Sequence, residues 1–265
     1  MRIIAFPNQK GGTGKTTTVM SVGAALAELG NRVLMLDLDH QGSLTIYAGV
    51  EDPNRDLDVT IYDVLMRYSE LKGKPSPILL SSIIKPVREN LWIAQANNDL
   101  SLFDLDVVQA MSRETIIKRA LAPIRGQFDY ILMDVHPNLS LLNMNALVAS
   151  TDLIIPLSAD YLSAQGVEQL LESVEVVKRA SNPDLKIAGI LITRADFRTK
   201  HAKALIEETR VNFGSTIPIF ETVIKEAVDL KDAPRYGKDI LLYDSKSVSA
   251  QEYRNIAQEI INHVK

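Results

Sequence analysis

The sequence predicts an α/β fold: a doubly wound, mostly parallel sheet flanked by helices, spanning 1–265 as a single domain. Three observations carry that expectation. Short apolar runs alternate with longer stretches of helical periodicity, the pattern of repeated strand–helix–strand units. The runs are mostly apolar rather than apolar at alternate residues, as strands covered on both faces must be. The first run opens into a glycine-rich turn with a helical pattern directly behind it.

Taken in order, the apolar run at 2–7 is the first strand, and the helix at 16–29 stops at Gly30, a residue suited to a helix C-terminus. A second strand at 33–37 ends in carboxylates. A helix at 61–68, a strand at 91–96 and a helix at 112–122 follow. The strand at 130–135 carries an acid, Asp134, just before its end and leads to a helix at 140–149. Strands at 153–157 and 187–193 flank a helix at 164–180, and a helix at 200–213 precedes a weaker seventh run at 218–223. The closing helix at 250–263 carries Ile256, Ile260, Ile261 and, just beyond it, Val264, a spacing that suits packing on the sheet better than lying on a membrane. Residues 51–55 and 71–77, with Gly73, Pro75 and Pro77, read as excursions inside the domain.

Hydrophobic residues make up 46% of the chain and charged residues 23%, the balance of an ordinary globular protein. There is no cysteine, which removes disulfides, thiolate zinc sites and cysteine-held iron–sulfur clusters and fits a reducing cytosol. No run reaches 18 apolar residues and no signal-peptide pattern stands at the start, so neither a spanning helix nor export is expected. The formal charge of −4 excludes a uniformly basic nucleic-acid-binding body. Residues 191–265 carry 12 Lys and Arg against 11 Asp and Glu, leaving 17 against 22 elsewhere, a small tilt that an ordinary solvated surface also gives, and a local basic patch stays open.

The chemistry begins at Lys10-Gly11-Gly12-Thr13-Gly14-Lys15-Thr16-Thr17. Glycines let the backbone bend several N–H groups toward one point, and the helix starting near Lys15 adds its positive end. Lys15 brings a full charge to a β/γ-phosphate, and the Thr16 hydroxyl is placed to ligate Mg²⁺. The ordinary phosphate-loop pattern starts with glycine, where this chain has Gln9. The two acid-ended strands supply carboxylates beyond the sheet's carboxyl edge: Asp37 and Asp39 in Asp37-Leu38-Asp39-His40-Gln41-Gly42, and Asp134 after an aliphatic run.

The loop KGGTGKTT resembles the deviant Walker A loop of the ParA/MinD family, and the likeness is closest to the ParA-type partition ATPases. It runs over nearly the whole chain, dense at 3–46, 129–137, 187–194 and 230–258 and weak at 50–125. The resemblance implies an ATPase using ATP and Mg²⁺. Lys10 would reach the phosphates of the partner's nucleotide across an ATP-closed homodimer. Lys10, Lys15 and Asp39 would be catalytic, with Asp39 orienting the attacking water and Asp37 a structural hydrogen-bond acceptor. Asp134, with Thr16 and Asp39, would hold the magnesium shell, and Thr193 and Arg194 would contact the adenine. His40 and His136 stand where the family usually has proline; His136 is open to sensing pH, touching phosphate or packing quietly.

Partition ATPases of this family bind nonspecific DNA as ATP dimers, and an adaptor of the ParB kind triggers slow hydrolysis. That implies a cytoplasmic, nucleoid-associated protein that positions a cargo. Arg194, Arg198, Lys200, Lys203, Lys225, Lys231, Arg235 and Lys238 are the candidates for DNA phosphates. The loop starts too near the N-terminus for a preceding helix-turn-helix module, so operator-specific repression is not expected. A MinD-like membrane switch would want a basic amphipathic tail, and a scaffold that binds ATP without cleaving it would show no turnover.

Overall fold

The computed structural model describes residues 1–8, 10–71, 78–137, 140–159 and 164–262. Gln9, most of the excursion at 71–77 and Val264 therefore lie outside the described residues. Seven strands form one sheet: β1 (Arg2–Phe6), β2 (Val33–Leu38), β3 (Ile84–Arg88), β4 (Leu91–Ala94), β5 (Tyr130–Val135), β6 (Asp152–Ser158) and β7 (Lys186–Thr193). Their order is β3-β4-β2-β5-β1-β6-β7. Pairing is parallel except where β3 turns back antiparallel on β4.

Strand pleating sorts the side chains onto two faces. Ile3, Ala5, Leu34, Leu36, Ile131 and Met133 point to one face, where helices α2 (Ile61–Tyr68), α3 (Ile116–Leu121), α4 (Leu141–Ala149) and α5 (Ala164–Ala180) cover them. Ile4, Phe6, Val33, Met35, Tyr130 and Leu132 point to the other, beneath α1 (Lys15–Glu28) and α7 (Val248–Asn262). Each buried Leu or Ile contributes roughly 1.5–3 kcal/mol, so the double cover explains why these strands carry no polar alternation. Helix α1 lies directly on the sheet because Gly23 has no side chain: a Cβ there would stand 3.1 Å from the Met35 sulfur and 3.2 Å from Leu91.

Helix α1 ends as its glycine predicts. Gly30 sits at φ 83°. Its N–H bonds the Ala27 carbonyl at 2.9 Å and the Asn31 N–H bonds that of Leu26 at 3.2 Å, so two orphan carbonyls are satisfied. Helices α2, α5 and α6 (Lys200–Phe213) occupy their expected residues.

Three expectations are corrected. The helix expected at 112–122 is broken into short pieces, α3 between two 3₁₀ turns at Arg113–Thr115 and Ala122–Ile124. Left-handed Ser112, at φ 48°, precedes the first turn, and Pro123 sits in the second. The run at 218–223 is not a strand. It lies along β7 through isolated bridges, Ile190 to Ile219 and Ala195 to Lys225, with Pro218 unable to donate to the ladder. The third is an omission: edge strand β3 had no counterpart in the sequence reading.

Candidate functional site

The register of the sheet assembles the site. β5 lies between β1 and β2, and Asp134 stands abreast of Phe6 on one side and Asp37 on the other. The carboxyl ends of these strands therefore bring the glycine loop and both acidic segments to one edge, the place where open α/β sheets bind ligands.

The loop is shaped by its glycines and held from outside. Gly12 and Gly14 take φ of 76° and 75°, a left-handed backbone that costs other residues strain, and Gly14 caps α1. At the end of β7, the Thr193 hydroxyl donates to the Thr13 carbonyl at 2.8 Å, and Nη1 of Arg194 donates to the Gly12 carbonyl at 2.6 Å. Arg194 is itself left-handed, at φ 55°, and pairs through Nε with Glu226 at 3.1 Å. Thr193 and Arg194 thus meet the loop's backbone.

Lys15 is 7% exposed, whereas Lys10 at the front of the loop is exposed. Burial lowers the Lys15 pKa, and Asp134 and Asp39 oppose that by favouring its charge. Among the described residues its Nζ has only a long contact, 3.4 Å, to the Lys10 carbonyl. Asp134 is 1% exposed, and neither carboxylate oxygen has a hydrogen-bond partner in good geometry among the described residues. Burial pushes its pKa up to about 6, although the nearby Thr16 hydroxyl and Lys15 favour the charged form. A buried carboxylate left without partners costs free energy that a cation would return. The glycine loop, a buried lysine with charge to spare and a carboxylate awaiting a cation together fit a magnesium–nucleotide. Lys15, Thr16 and Asp134 are the groups that could hold it.

Asp37 is fully engaged. It accepts from the Thr45 N–H at 2.8 Å, the Thr45 hydroxyl at 2.7 Å and the Asp39 N–H at 3.2 Å, which fits a structural acceptor. Burial, and then the charge of Asp134, push its pKa up to about 7. Asp39 is at the rim. Its Oδ1 accepts from the Gln41 N–H at 2.9 Å and lies 2.8 Å from Nδ1 of His136. His136 and His40 lie together, ring centroids 4.7 Å apart and tilted 39°. Asn143, on the first turns of α4, donates to the His136 carbonyl at 2.5 Å.

Sequence reasoning missed Thr45 and Asn143. The signal for Thr45 was present: Gly42 turns the chain at φ 62°, and a threonine follows on the next short helix, Ser43–Tyr47. A separate cavity of about 700 Å³, lined in part by Arg2, Lys118 and Asp152, opens at the opposite end of the strands and has no part in this site.

The AAA domain family matches residues 1–187. The chain is 39% identical to the sporulation initiation inhibitor protein Soj of Bacillus subtilis (strain 168), over 98% of each chain. It is 36% identical to the chromosome partitioning protein ParA of Myxococcus xanthus (strain DK1622), over 98% of this chain and 88% of that one. The crystal structure of a cobyrinic acid a,c-diamide synthase from Mycobacterium smegmatis with bound ADP and magnesium matches at TM-score 0.84 and 35% identity, covering 99% of this chain and 95% of that one. The chain is an ATPase with ATP and Mg²⁺ as its cofactors, and it belongs to the ParA/MinD family of P-loop ATPases.

Proposed function

We propose that this ATPase dimerises on ATP, binds DNA without sequence preference in that state, and positions a cargo, with an adaptor protein triggering slow hydrolysis. The observation that carries the reading is the contrast between the two lysines of the loop: Lys15 is buried within it, Lys10 exposed ahead of it. Lys15 serves the nucleotide of its own protomer; Lys10, at the exposed front of the loop, reaches a nucleotide held by a second one. Charge delivered in this way, as by an arginine finger, is worth about 10³–10⁵ in rate. The proposal extends to 1–265 acting as one domain.

When bound, MgATP supplies the phosphoryl group and the cation that balances its charge. The rest belongs to the chain. The loop's backbone and Lys15 position the phosphates, Thr16 and Asp134 hold the magnesium shell, and Asp39 accepts a hydrogen bond from the attacking water. Thr193 and Arg194 hold the loop, and in this reading they also contact the adenine.

The DNA surface narrows to fewer cations. Arg198 pairs with Asp196 at 2.8 Å, Lys225 with Glu252 at 3.0 Å, Arg235 with Asp232 at 3.3 Å, and Lys231 with Glu226. Lys200, Lys203 and Lys238 are exposed and have no ion pair among the described residues. Exposed pairs are worth about 0–1 kcal/mol each, so phosphates can compete for the paired cations as well. Among the described residues no helix is long and apolar enough to cross a membrane. The apolar side of α7, at Ile256 and Ile260, is buried against the sheet.

The test is binding of the Asp39→Ala protein to random-sequence duplex DNA, with ATP or ADP, at two salt concentrations. ATP-dependent binding that weakens with salt is expected. Absence of binding in every nucleotide state, with ATP still bound, would overturn the DNA reading and favour a MinD-like switch on a membrane or protein surface.

A further inference from the structure

The loops leaving β2 and β5 bring Asp39, His40 and His136 together. One ligating atom from each of the three residues can be chosen so that all lie within 4.8 Å of one another, and all three side chains are partly exposed. A cation can therefore enter from solvent onto groups that neighbours already steady. Asp39 is fixed by the Gln41 N–H at 2.9 Å, and Nδ1 of His40 stands 2.9 Å from the Gln41 side-chain amide. The amide can turn its oxygen to that nitrogen, leaving Nε2 of His40 for a metal. His136 is anchored through its carbonyl by Asn143.

The donor set decides which cation. Magnesium takes oxygen ligands and sheds water reluctantly; two imidazoles and one carboxylate suit zinc and its neighbours. Three protein ligands would also leave a fourth position to solvent, as in open zinc sites. Donors in tetrahedral zinc sites, roughly 2.0–2.2 Å from the metal, stand about 3.4 Å from one another. The cluster must contract by at most about an ångström and a half, within the reach of side-chain rotation in two loops.

We propose that Asp39, His40 and His136 form a second cation site, for a zinc-class divalent metal, on the rim of the nucleotide pocket. Occupation takes Asp39 away from the attacking water and arrests hydrolysis. The arrest rests on the reading of Asp39 given above; the metal site does not.

Zinc chloride is titrated calorimetrically into the full chain without nucleotide or magnesium, and Co²⁺ absorption reports the geometry. One zinc per chain is expected. His40→Gln and His136→Gln should each bind at least about tenfold more weakly, while His201→Gln, on α6 away from the cluster, should bind as the wild type does. ATP binding by each variant shows that it is folded. Equal zinc affinity in the wild type and both cluster variants would overturn the site. With magnesium in excess, zinc at the lowest concentration that saturates the wild type should slow its ATP turnover markedly more than that of His40→Gln; equal slowing in both at that concentration would overturn the arrest. Turnover of Asp39→Ala measured without zinc tests the reading of Asp39 by itself, since a wild-type rate there would sink that reading and leave the calorimetry to decide the metal site.

Discussion

At the scale of single residues, the site divides into groups that meet the nucleotide and groups that hold those in place. Thr193 does the second for the glycine loop. Thr193→Val removes the hydroxyl that bonds the Thr13 carbonyl while keeping the side chain's shape. A hydrogen bond of this sort is worth about 0.5–1.5 kcal/mol, so ATP affinity measured by calorimetry should fall roughly two- to tenfold, with the fold intact. Unchanged affinity would mean that the loop keeps its shape without β7. The nucleotide loop was legible in the sequence because its parts are contiguous from Lys10 to Thr17. The supports were not, because they join distant residues. Thr193 and Thr13 are 180 positions apart, and His136 and Asp39 are 97 apart. A motif can name a carboxylate; only the register of β2 against β5 shows which histidine stands beside it.

Among elements, six strands could be read because most of their residues are covered on both faces, which leaves them mostly apolar. β3 could not. It is an edge strand with no fully buried residue, and Pro86 lies within it. Edge positions tolerate such sequences, and that tolerance erases the signal. The run at 218–223 gave the opposite error: it is apolar because Phe220 is buried against β7, but its pairing is discontinuous. Gly189 makes that packing possible. A Cβ there would stand 3.0 Å from both the Phe220 ring and the Pro218 carbonyl oxygen. Gly189→Val should therefore push the segment off β7 at a cost of about 1–3 kcal/mol, visible as a lower denaturant midpoint. A midpoint equal to the wild type would show that this edge is loosely packed.

For the molecule as a whole, the two ends of the sheet behave differently toward protons. At the amino ends of the strands, Arg32 bonds Asp129 at 2.9 Å and holds its pKa down at about 2, against an ordinary 3.8. A depressed folded-state pKa contributes stability above the unfolded value and loses it as the pH falls through the folded one. Thermal melts should place Arg32→Ala below the wild type at pH 6, with the gap closing by pH 2 and narrowing in high salt because the pair is exposed. A gap unchanged across that range would assign the effect to packing. At the carboxyl ends, Asp37 and Asp134 are shifted the other way by burial. The bracing of the glycine loop by β7 has a further consequence. A nucleotide arrives at a mould already set, so little ordering entropy separates the empty loop from the filled one, and ATP and ADP should be greeted alike at the α- and β-phosphates. Under the proposed function, discrimination between them then falls to the loops after β2 and β5, which carry Asp39 and His136, and the timing of the cycle falls to those loops instead of to the fold.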